Sequence, residues 1–182
     1  MHDDQDAIWR VLNGDIESFR LLVQRYQRPL YCLIRNLVSD AHDAEDLAQE
    51  AFLTAFRHLA SYDSTQGAFS TWLFTIARNK CLNARKKRRP VILTTLPDTA
   101  VPRSPDIELS EAEWFLRLDK ALDTLPFAQK TAFVLAEIQE LPLEEISQIE
   151  GVPVGTVKSR LSRAKEKLRS LLRREEQPDA RS

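Results

Sequence analysis

Three carboxylates with helical spacing raise the question of metal chemistry. Asp43, Asp46 and Glu50 follow one another at intervals of three and four in DAEDLAQEAF, which places them on one helix face. Carboxylate metal centres in helical bundles also use a histidine three residues after an acid, and His42 and His58 do not have that spacing. The pattern favours a protein-docking face or a solvated face, with a helical carboxylate enzyme as the alternative.

The two cysteines do not point to redox or zinc chemistry. Cys32 and Cys81 lie among apolar residues at helical spacing, and the chain has no CxxC motif. This setting is typical of cysteines that pack as small buried hydrophobic side chains. We therefore expect neither a metal nor another cofactor.

A second kind of chemistry is indicated by the segment PLEEISQIEGVPVGTVKSRLSRAKEKL. Within it, Gly151 permits a tight turn between two helices. On the second helix one narrow arc is apolar, formed by Val157, Leu161, Ala164 and Leu168. The opposite arc carries Lys158, Ser159, Ser162 and Arg163. Cations and hydroxyls near a helix N-terminus are suited to base edges and phosphates in a DNA major groove. The segment predicts a helix-turn-helix.

A third pattern combines amides and cations beside a polar loop. The loop within YDSTQGA contains Tyr62, Asp63, Ser64 and Gly67, and the helix FSTWLFTIARNKCLNARKKRR carries Arg78, Asn79, Lys80 and Asn83. Such groups suit the capture of unstacked bases. An ordinary amphipathic helix with a solvated basic end is the alternative.

The elements that must position these residues are all predicted to be helices. Residues 1–89 have four apolar-periodic segments, over about 1–13, 15–37, 43–59 and 69–88, with Pro29 expected to kink or restart the second. Residues 108–182 have four more, and Pro126 is predicted at the first helical position of the second of these. Four of the nine prolines fall in residues 90–107, which predicts an extended linker. The expected fold is all-α, with two small helical domains, the C-terminal one a helix-turn-helix domain.

The net charge of -1 conceals a strong segregation of charge. Residues 64–97 carry seven bases and no acid, and residues 158–174 carry eight bases and one acid. The remaining segments are acidic. Two separated basic helices suggest two contacts on one long polyanion. The first residues have no signal-peptide pattern, and no apolar run is long enough for a membrane span, so a cytoplasmic location is expected.

These motifs occur in an order that resembles bacterial RNA polymerase sigma factors of the extracytoplasmic-function (ECF) group, over about residues 15–172. DAEDLAQEAF, YDSTQGAFSTWLFTIARN, a proline-rich linker and VPVGTVKSRLSRA carry the resemblance. It implies a factor that binds core RNA polymerase, through its clamp and flap, and promoter DNA. It implies no catalysis by the chain itself.

The resemblance also assigns roles to individual residues. Clamp docking falls to Asp46, Leu47, Gln49 and Glu50. Reading and melting of the -10 element fall to Tyr62, Asp63, Ser64, Gly67, Arg78, Asn79, Lys80 and Asn83. Recognition of the -35 element falls to Lys158, Ser159, Ser162 and Arg163, with Thr156 and Arg160 nearer the DNA backbone. Residues 1–89 would thus form the clamp and -10 domain, residues 90–107 the linker, and residues 108–182 the -35 domain. An anti-sigma protein is a possible further partner.

The sequence departs from the family pattern at two positions of the predicted helix-turn-helix. Glu150 replaces a usually apolar residue and Ser147 a usual alanine. We expect the charge of Glu150 either to extend to solvent or to loosen that helix contact. A stand-alone regulator that binds its operator without polymerase remains the alternative from the binding class.

Overall fold

The structure, a computed structural model, describes residues 2–38, 40–87 and 111–176. Within these ranges every regular element is helical, which confirms the all-α prediction. The α-helices are α1 (His2–Leu12), α2 (Phe19–Leu37), α3 (Ala41–Arg57), α4 (Phe69–Lys87), α5 (Glu111–Asp123), α6 (Phe127–Phe133), α7 (Leu143–Glu150) and α8 (Val154–Glu176). The predicted linker, residues 90–107, lies outside the described residues.

Local structure marks where α2 and α3 begin. The Asp40 side chain accepts hydrogen bonds from the backbone N–H groups of His42, at 2.8 Å, and Asp43, at 3.1 Å, and so caps α3. A short 3-10 turn over Ile16–Ser18 precedes α2. Pro29 lies inside α2, so of the two predicted outcomes, a kink or a restart of the helix, the restart does not occur.

The helix that follows Pro126 differs from the prediction in two ways. Pro126 lies at the N-cap of α6 rather than at its first helical position. After Phe133 the backbone continues as a π-helical segment over Val134–Ile138. Two residues beyond its end, Glu140 has a φ of 54°. An unbroken α-helical period in the sequence does not distinguish these two helix types.

The predicted helix-turn-helix is formed by α7 and α8. Gly151 ends α7 with φ 65° and ψ 37°, the left-handed conformation that glycine adopts without a Cβ penalty. The Ser147 hydroxyl donates a 2.6 Å hydrogen bond to the carbonyl of Val152 and so closes the turn. Ser147, one of the two departures from the family pattern, therefore stabilises the turn.

The two halves of the chain contact each other. One hydrophobic core contains Leu33 and Leu73 from the first half together with Leu135, Ile146 and Ile149 from the second. Helix α4 packs against α7. A smaller cluster joins α5 to α8 through Ala121, Leu122, Leu125, Ala164 and Leu168.

Candidate nucleic-acid interface

The N-terminal turns of α8 present the basic and hydroxylated stripe that the sequence predicts. Val157, Ala164 and Leu168 are buried against the other helices. Of the predicted -35 residues, Lys158, Ser159, Ser162 and Arg163 are exposed, and Thr156 is half-buried. The buried stripe fixes the rotation of α8, so this surface faces away from the core.

Arg160 has a different environment from its neighbours on α8. Its Nη1 donates a 2.6 Å hydrogen bond to Oε2 of Glu150, whose side chain is 0% exposed. Burial raises the pKa of Glu150, while the hydrogen bond and charge of Arg160 and the charge of Arg78 oppose that rise. Of the two outcomes expected for Glu150, extension to solvent does not occur, because the side chain is buried and hydrogen-bonded to Arg160.

The loop before α4 is held by its own side chains. The Tyr62 hydroxyl donates a 3.0 Å hydrogen bond to the carbonyl of Gly67. Asp63 Oδ1 accepts hydrogen bonds from the Thr65 hydroxyl, at 2.7 Å, and the Thr65 backbone N–H, at 2.9 Å. These bonds lower the pKa of Asp63, whereas burial raises the pKa of Tyr62. Ser64 is exposed on the same loop.

A cavity of about 250 Å³ lies between this loop and α4. Its walls include Tyr62, Gly67 and Trp72, and the rings of Tyr62 and Trp72 lie 5.6 Å apart. Gln148 of α7 also lines the cavity. Of the predicted -10 residues, Tyr62, Asp63 and Gly67 line this concave site, whereas Ser64 and the four predicted residues of α4 do not. The second half of the chain contributes Gln148 to its wall.

The four predicted polar residues of α4 are not equally accessible. Asn79 and Asn83 are exposed, and Arg78 and Lys80 are half-buried. Lys80 Nζ lies 3.2 Å from Oε2 of Glu50 on α3. Arg78 Nη1 donates a 3.0 Å hydrogen bond to Oδ1 of Asn79, while Arg78 Nε is buried without a partner among the described residues.

The predicted clamp-docking face on α3 is open to solvent. Asp46, Gln49 and Glu50 are exposed, and Leu47 is half-buried. Among the described residues no group of three or more histidine, cysteine, aspartate or glutamate side chains could hold a metal ion. Cys81 is buried, which raises the pKa of its thiol to about 12, and Cys32 is half-buried.

An apolar groove beside this face was missed by the sequence reasoning. It has a volume of about 570 Å³ and runs between α2 and α3. Ile16 and Leu53, which are 61% and 53% exposed, lie on its walls with Phe52 and Phe56. Leu53 falls next to the apolar stripe of α3 rather than within it, and an apolar side chain at such a position is the signal that could have revealed the groove.

Helix α1 is joined to α2 by the carboxylates of Asp3 and Asp4. Arg25 on α2 forms ion pairs with Asp3 and Asp4. The Tyr26 hydroxyl donates a 2.6 Å hydrogen bond to Asp4, and burial is the main cause that raises the Tyr26 pKa above its ordinary value. Helix α1 also contacts the 3-10 turn Leu59–Ser61, which precedes the loop of the cavity.

Comparison with known proteins identifies the family of this chain. The family model described as Sigma-70 region 2 matches residues 22–91, and that described as Sigma-70, region 4 matches residues 115–168. The ECF RNA polymerase sigma factor SigW of Bacillus subtilis is 34% identical over 186 residues, which cover 91% of this chain and 95% of SigW. The chain belongs to the ECF sigma factors. It is therefore a transcription initiation factor that directs RNA polymerase to promoters.

Other relatives of this sigma factor support the same family. The ECF RNA polymerase sigma-E factor of Escherichia coli K12 is 35% identical, with 94% of this chain and 97% of that protein covered. The solved structure of CnrH in complex with the cytosolic domain of CnrY has a TM-score of 0.73 at 25% identity, covering 94% of this chain and 97% of CnrH. RpoE from Bartonella quintana, solved with the anti-sigma factor NepR, has a TM-score of 0.69 at 27% identity, covering 86% and 98%.

Among the described residues, no helix is both long enough and apolar enough to cross a bilayer.

Proposed function

We propose that this sigma factor divides its work between three parts of the chain. Residues 1–89 dock on the polymerase clamp and handle the -10 element, residues 90–107 link the two halves, and residues 108–182 contact the -35 element and the polymerase flap. The observation that carries the proposal is the exposed stripe of Lys158, Ser159 and Arg163 opposite the buried stripe of α8. A helix with one buried apolar face and one exposed basic face can enter a major groove without unfolding any part of its own domain.

At the -35 element, Arg163 is proposed to read base edges. It is exposed on α8 beside Ser159 and Ser162, whose hydroxyls can donate or accept at either strand. Thr156, Lys158 and Arg160 are proposed to contact phosphates, which set the register of the helix but carry no sequence information.

At the -10 element, the cavity between the loop and α4 is proposed to receive an unstacked base. Tyr62 and Trp72 provide aromatic surfaces, and stacking on such rings contributes about 1–3 kcal/mol per base. Asp63 and Gly67 line the same cavity, and Ser64 is exposed on the loop next to it. Four residues of α4 would then bind base edges and the backbone of the same strand. They are the amides Asn79 and Asn83 and the cations Arg78 and Lys80.

The clamp site is proposed to centre on Asp46, Leu47, Gln49 and Glu50. The exposed acids can attract a basic partner surface, and the adjoining apolar groove can take up apolar side chains from the same partner. The chain itself is proposed to be non-catalytic and cytoplasmic and to need no cofactor. Because CnrH and RpoE were solved with CnrY and NepR, an anti-sigma factor is a further proposed partner.

Run-off transcription with purified core polymerase, with and without this chain, tests the proposal. On a library of promoter fragments we expect transcripts from a defined subset, and only when the chain is present. The free chain should bind the same fragments weakly, because each basic helix is set in an acidic half and linkage through polymerase raises effective concentration.

The rival functions give different results in the same assay. Tight, sequence-specific binding by the chain alone at physiological salt, with no dependence of transcription on it, would favour a stand-alone regulator. Absence of any promoter-dependent transcript would contradict the proposed function.

A further inference from the structure

Four aromatic rings form a continuous cluster beside the cavity that the loop and α4 enclose. Phe69, the first residue of α4, lies at its centre and is 2% exposed. The rings of Tyr26, Tyr62 and Trp72 lie 5.5, 5.6 and 5.7 Å from the Phe69 ring. These distances fall within the range of roughly 4.5–7 Å in which aromatic pairs attract each other beyond the effect of burial alone. The three outer rings therefore pack on one buried ring.

One side of this aromatic cluster forms the wall of the cavity and the other side does not. Tyr62 and Trp72 line the cavity, whereas Phe69 and Tyr26 are not among its lining residues. Phe69 contacts the rings of both wall residues and that of Tyr26. Because packed interiors transmit strain, a displacement of the Tyr26 ring reaches the two walls through Phe69.

The hydroxyl end of Tyr26 is held by α1. It donates a 2.6 Å hydrogen bond to Oδ2 of Asp4, whose side chain is 15% exposed. A bond from a hydroxyl to a carboxylate is charge-assisted and is stronger than a bond between neutral groups. Oδ1 of the same carboxylate pairs with Arg25, which holds the acid in place. Asp4 therefore fixes the Tyr26 side chain from outside the aromatic cluster.

Helix α1 also approaches the cavity at a second point. It contacts the 3-10 turn Leu59–Ser61, and Ser61 lines the cavity. Ala7 and Ile8 of α1 are buried in the main hydrophobic core. The helix is therefore packed against the structure that supports the loop.

We propose that Asp4 is a positioning residue for the cavity. Its bond to Tyr26 fixes the aromatic cluster, and the cluster holds Tyr62 and Trp72 in the arrangement that receives an unstacked base. Asp4 does not line the cavity, so it acts through Tyr26 and Phe69. The reception of a base rests on the proposed function, whereas the support of the two walls by Asp4 does not.

Run-off transcription from templates with one abasic nucleotide tests this role, with the full chain and core polymerase. The abasic nucleotide is placed at each position of the -10 element in turn, on either strand, in a promoter that the wild type transcribes. For the wild type we expect a loss of about tenfold at the position whose base enters the cavity, because stacking on an aromatic ring is removed. For Asp4→Ala this loss should shrink to roughly threefold, because one hydrogen bond that fixes the walls is absent. A loss as large as that of the wild type would overturn the proposal.

Asp3→Ala is the matched control for this variant. Asp3 is the neighbouring acid of α1 and also pairs with Arg25, but the Tyr26 hydroxyl binds Asp4. Asp3→Ala should therefore keep the tenfold loss. Asp4→Asn retains an acceptor oxygen for the hydroxyl and should restore most of it. Equal effects of Asp3→Ala and Asp4→Ala would show that the acids only attach α1 to α2, and would overturn the proposal.

Tyr26→Phe removes the other partner of the hydrogen bond and keeps both the ring and the ion pairs of Arg25. It should shrink the abasic loss as much as Asp4→Ala does, and the double variant should shrink it no further. Additive effects would overturn the proposal. If circular dichroism shows that Asp4→Ala loses helix, the same comparison is made with Tyr26→Phe alone, and a wild-type loss in that variant would overturn the proposal.

Fluorescence of Trp72 reports the position of the wall without DNA. Trp9→Phe and Trp114→Phe leave it as the one tryptophan of the chain. Quenching of its emission by acrylamide should increase in Asp4→Ala and Tyr26→Phe but not in Asp3→Ala, and unchanged quenching in the first two would overturn the proposal. Increased quenching, together with a wild type that is insensitive to every abasic position, would support the positioning role and contradict the base capture in the proposed function.

Discussion

The basic segments of α4 and α8 have similar charge in the sequence but differ in accessibility in the folded chain. Residues 64–97 and 158–174 carry seven and eight bases. On α8, Lys158 and Arg163 are exposed, whereas on α4 Lys80 pairs with Glu50 and Arg78 is half-buried. The difference shows that a count of cations predicts where positive charge lies along the chain. Which of those cations are neutralised depends on acids that are distant in sequence.

Arg160 and Arg163, one turn apart on α8, provide the strongest test of this contrast. Arg160→Ala removes the hydrogen-bonded partner of buried Glu150, and breaking such a pair costs about 3 kcal/mol or more. Arg163→Ala, at an exposed position, should change the free energy of unfolding by less than about 0.5 kcal/mol. Urea unfolding of the two variants measures this difference, and equal losses would show that Arg160 is not held by Glu150.

The second prediction concerns sequence reading by the exposed helix. Arg163→Ala should cost about 1–3 kcal/mol of discrimination between -35 elements, because a bidentate contact to a guanine edge is lost. Run-off transcription from templates that differ only at the -35 element measures this discrimination. If sequence preference is retained and only the salt dependence of binding changes, Arg163 contacts a phosphate instead.

A smaller effect is expected at the loop beside the cavity. Tyr62→Phe removes the hydrogen bond to the carbonyl of Gly67 and keeps the ring, which should weaken the ordered loop by about 1 kcal/mol. Transcription should then become several-fold more sensitive to substitutions in the -10 element, while the response to the -35 element stays as in the wild type. A change at the -35 element of equal size would indicate that the two surfaces are not separate.

The smallest effect is a pH dependence at the contact of the two halves. The folded-state pKa of Glu150 is raised above its ordinary value of 4.5, mainly because of burial. The folded state therefore favours the protonated form, and the resulting stability is fully present below pH 4.5 and declines as pH rises through the raised pKa. The wild type minus Glu150→Gln difference in the free energy of unfolding should therefore fall over that interval. The wild type minus Glu144→Gln difference, which serves as the control, should not fall there.

Much of the fold could be predicted because apolar periodicity and local stop signals are short-range. The stripe of Val157, Ala164 and Leu168 fixed which face of α8 is buried, and Gly151 marked the turn before it. The π-helical segment after Phe133 could not be predicted, since its apolar spacing reads as an α-helix. The restart expected at Pro29 did not occur, because α2 tolerates the proline within a continuous helix.

The candidate site was likewise only partly predictable from the sequence. The polar residues of α4, α8 and the loop were all identifiable from residue type and spacing. The groove containing Ile16 and Leu53 was not predicted, because it forms between two helices and the position of Leu53 beside the apolar stripe of α3 is its one trace in the sequence. The pairing of Glu150 with Arg160 was also missed, since an isolated charge in an apolar position gives no sign of the cation that will compensate it.

The sequence by itself determined the helical fold, the two basic segments and the family, because each of these depends on residues close together along the chain. Only the tertiary structure decided which of the basic side chains are available. Burial and charge compensation act over a few ångströms in space, and Lys80 and Glu50, whose Nζ and Oε2 atoms lie 3.2 Å apart, are 30 positions apart in the sequence. The packing of α3 against α4 brings them together, so part of the basic surface of α4 is compensated while that of α8 stays open.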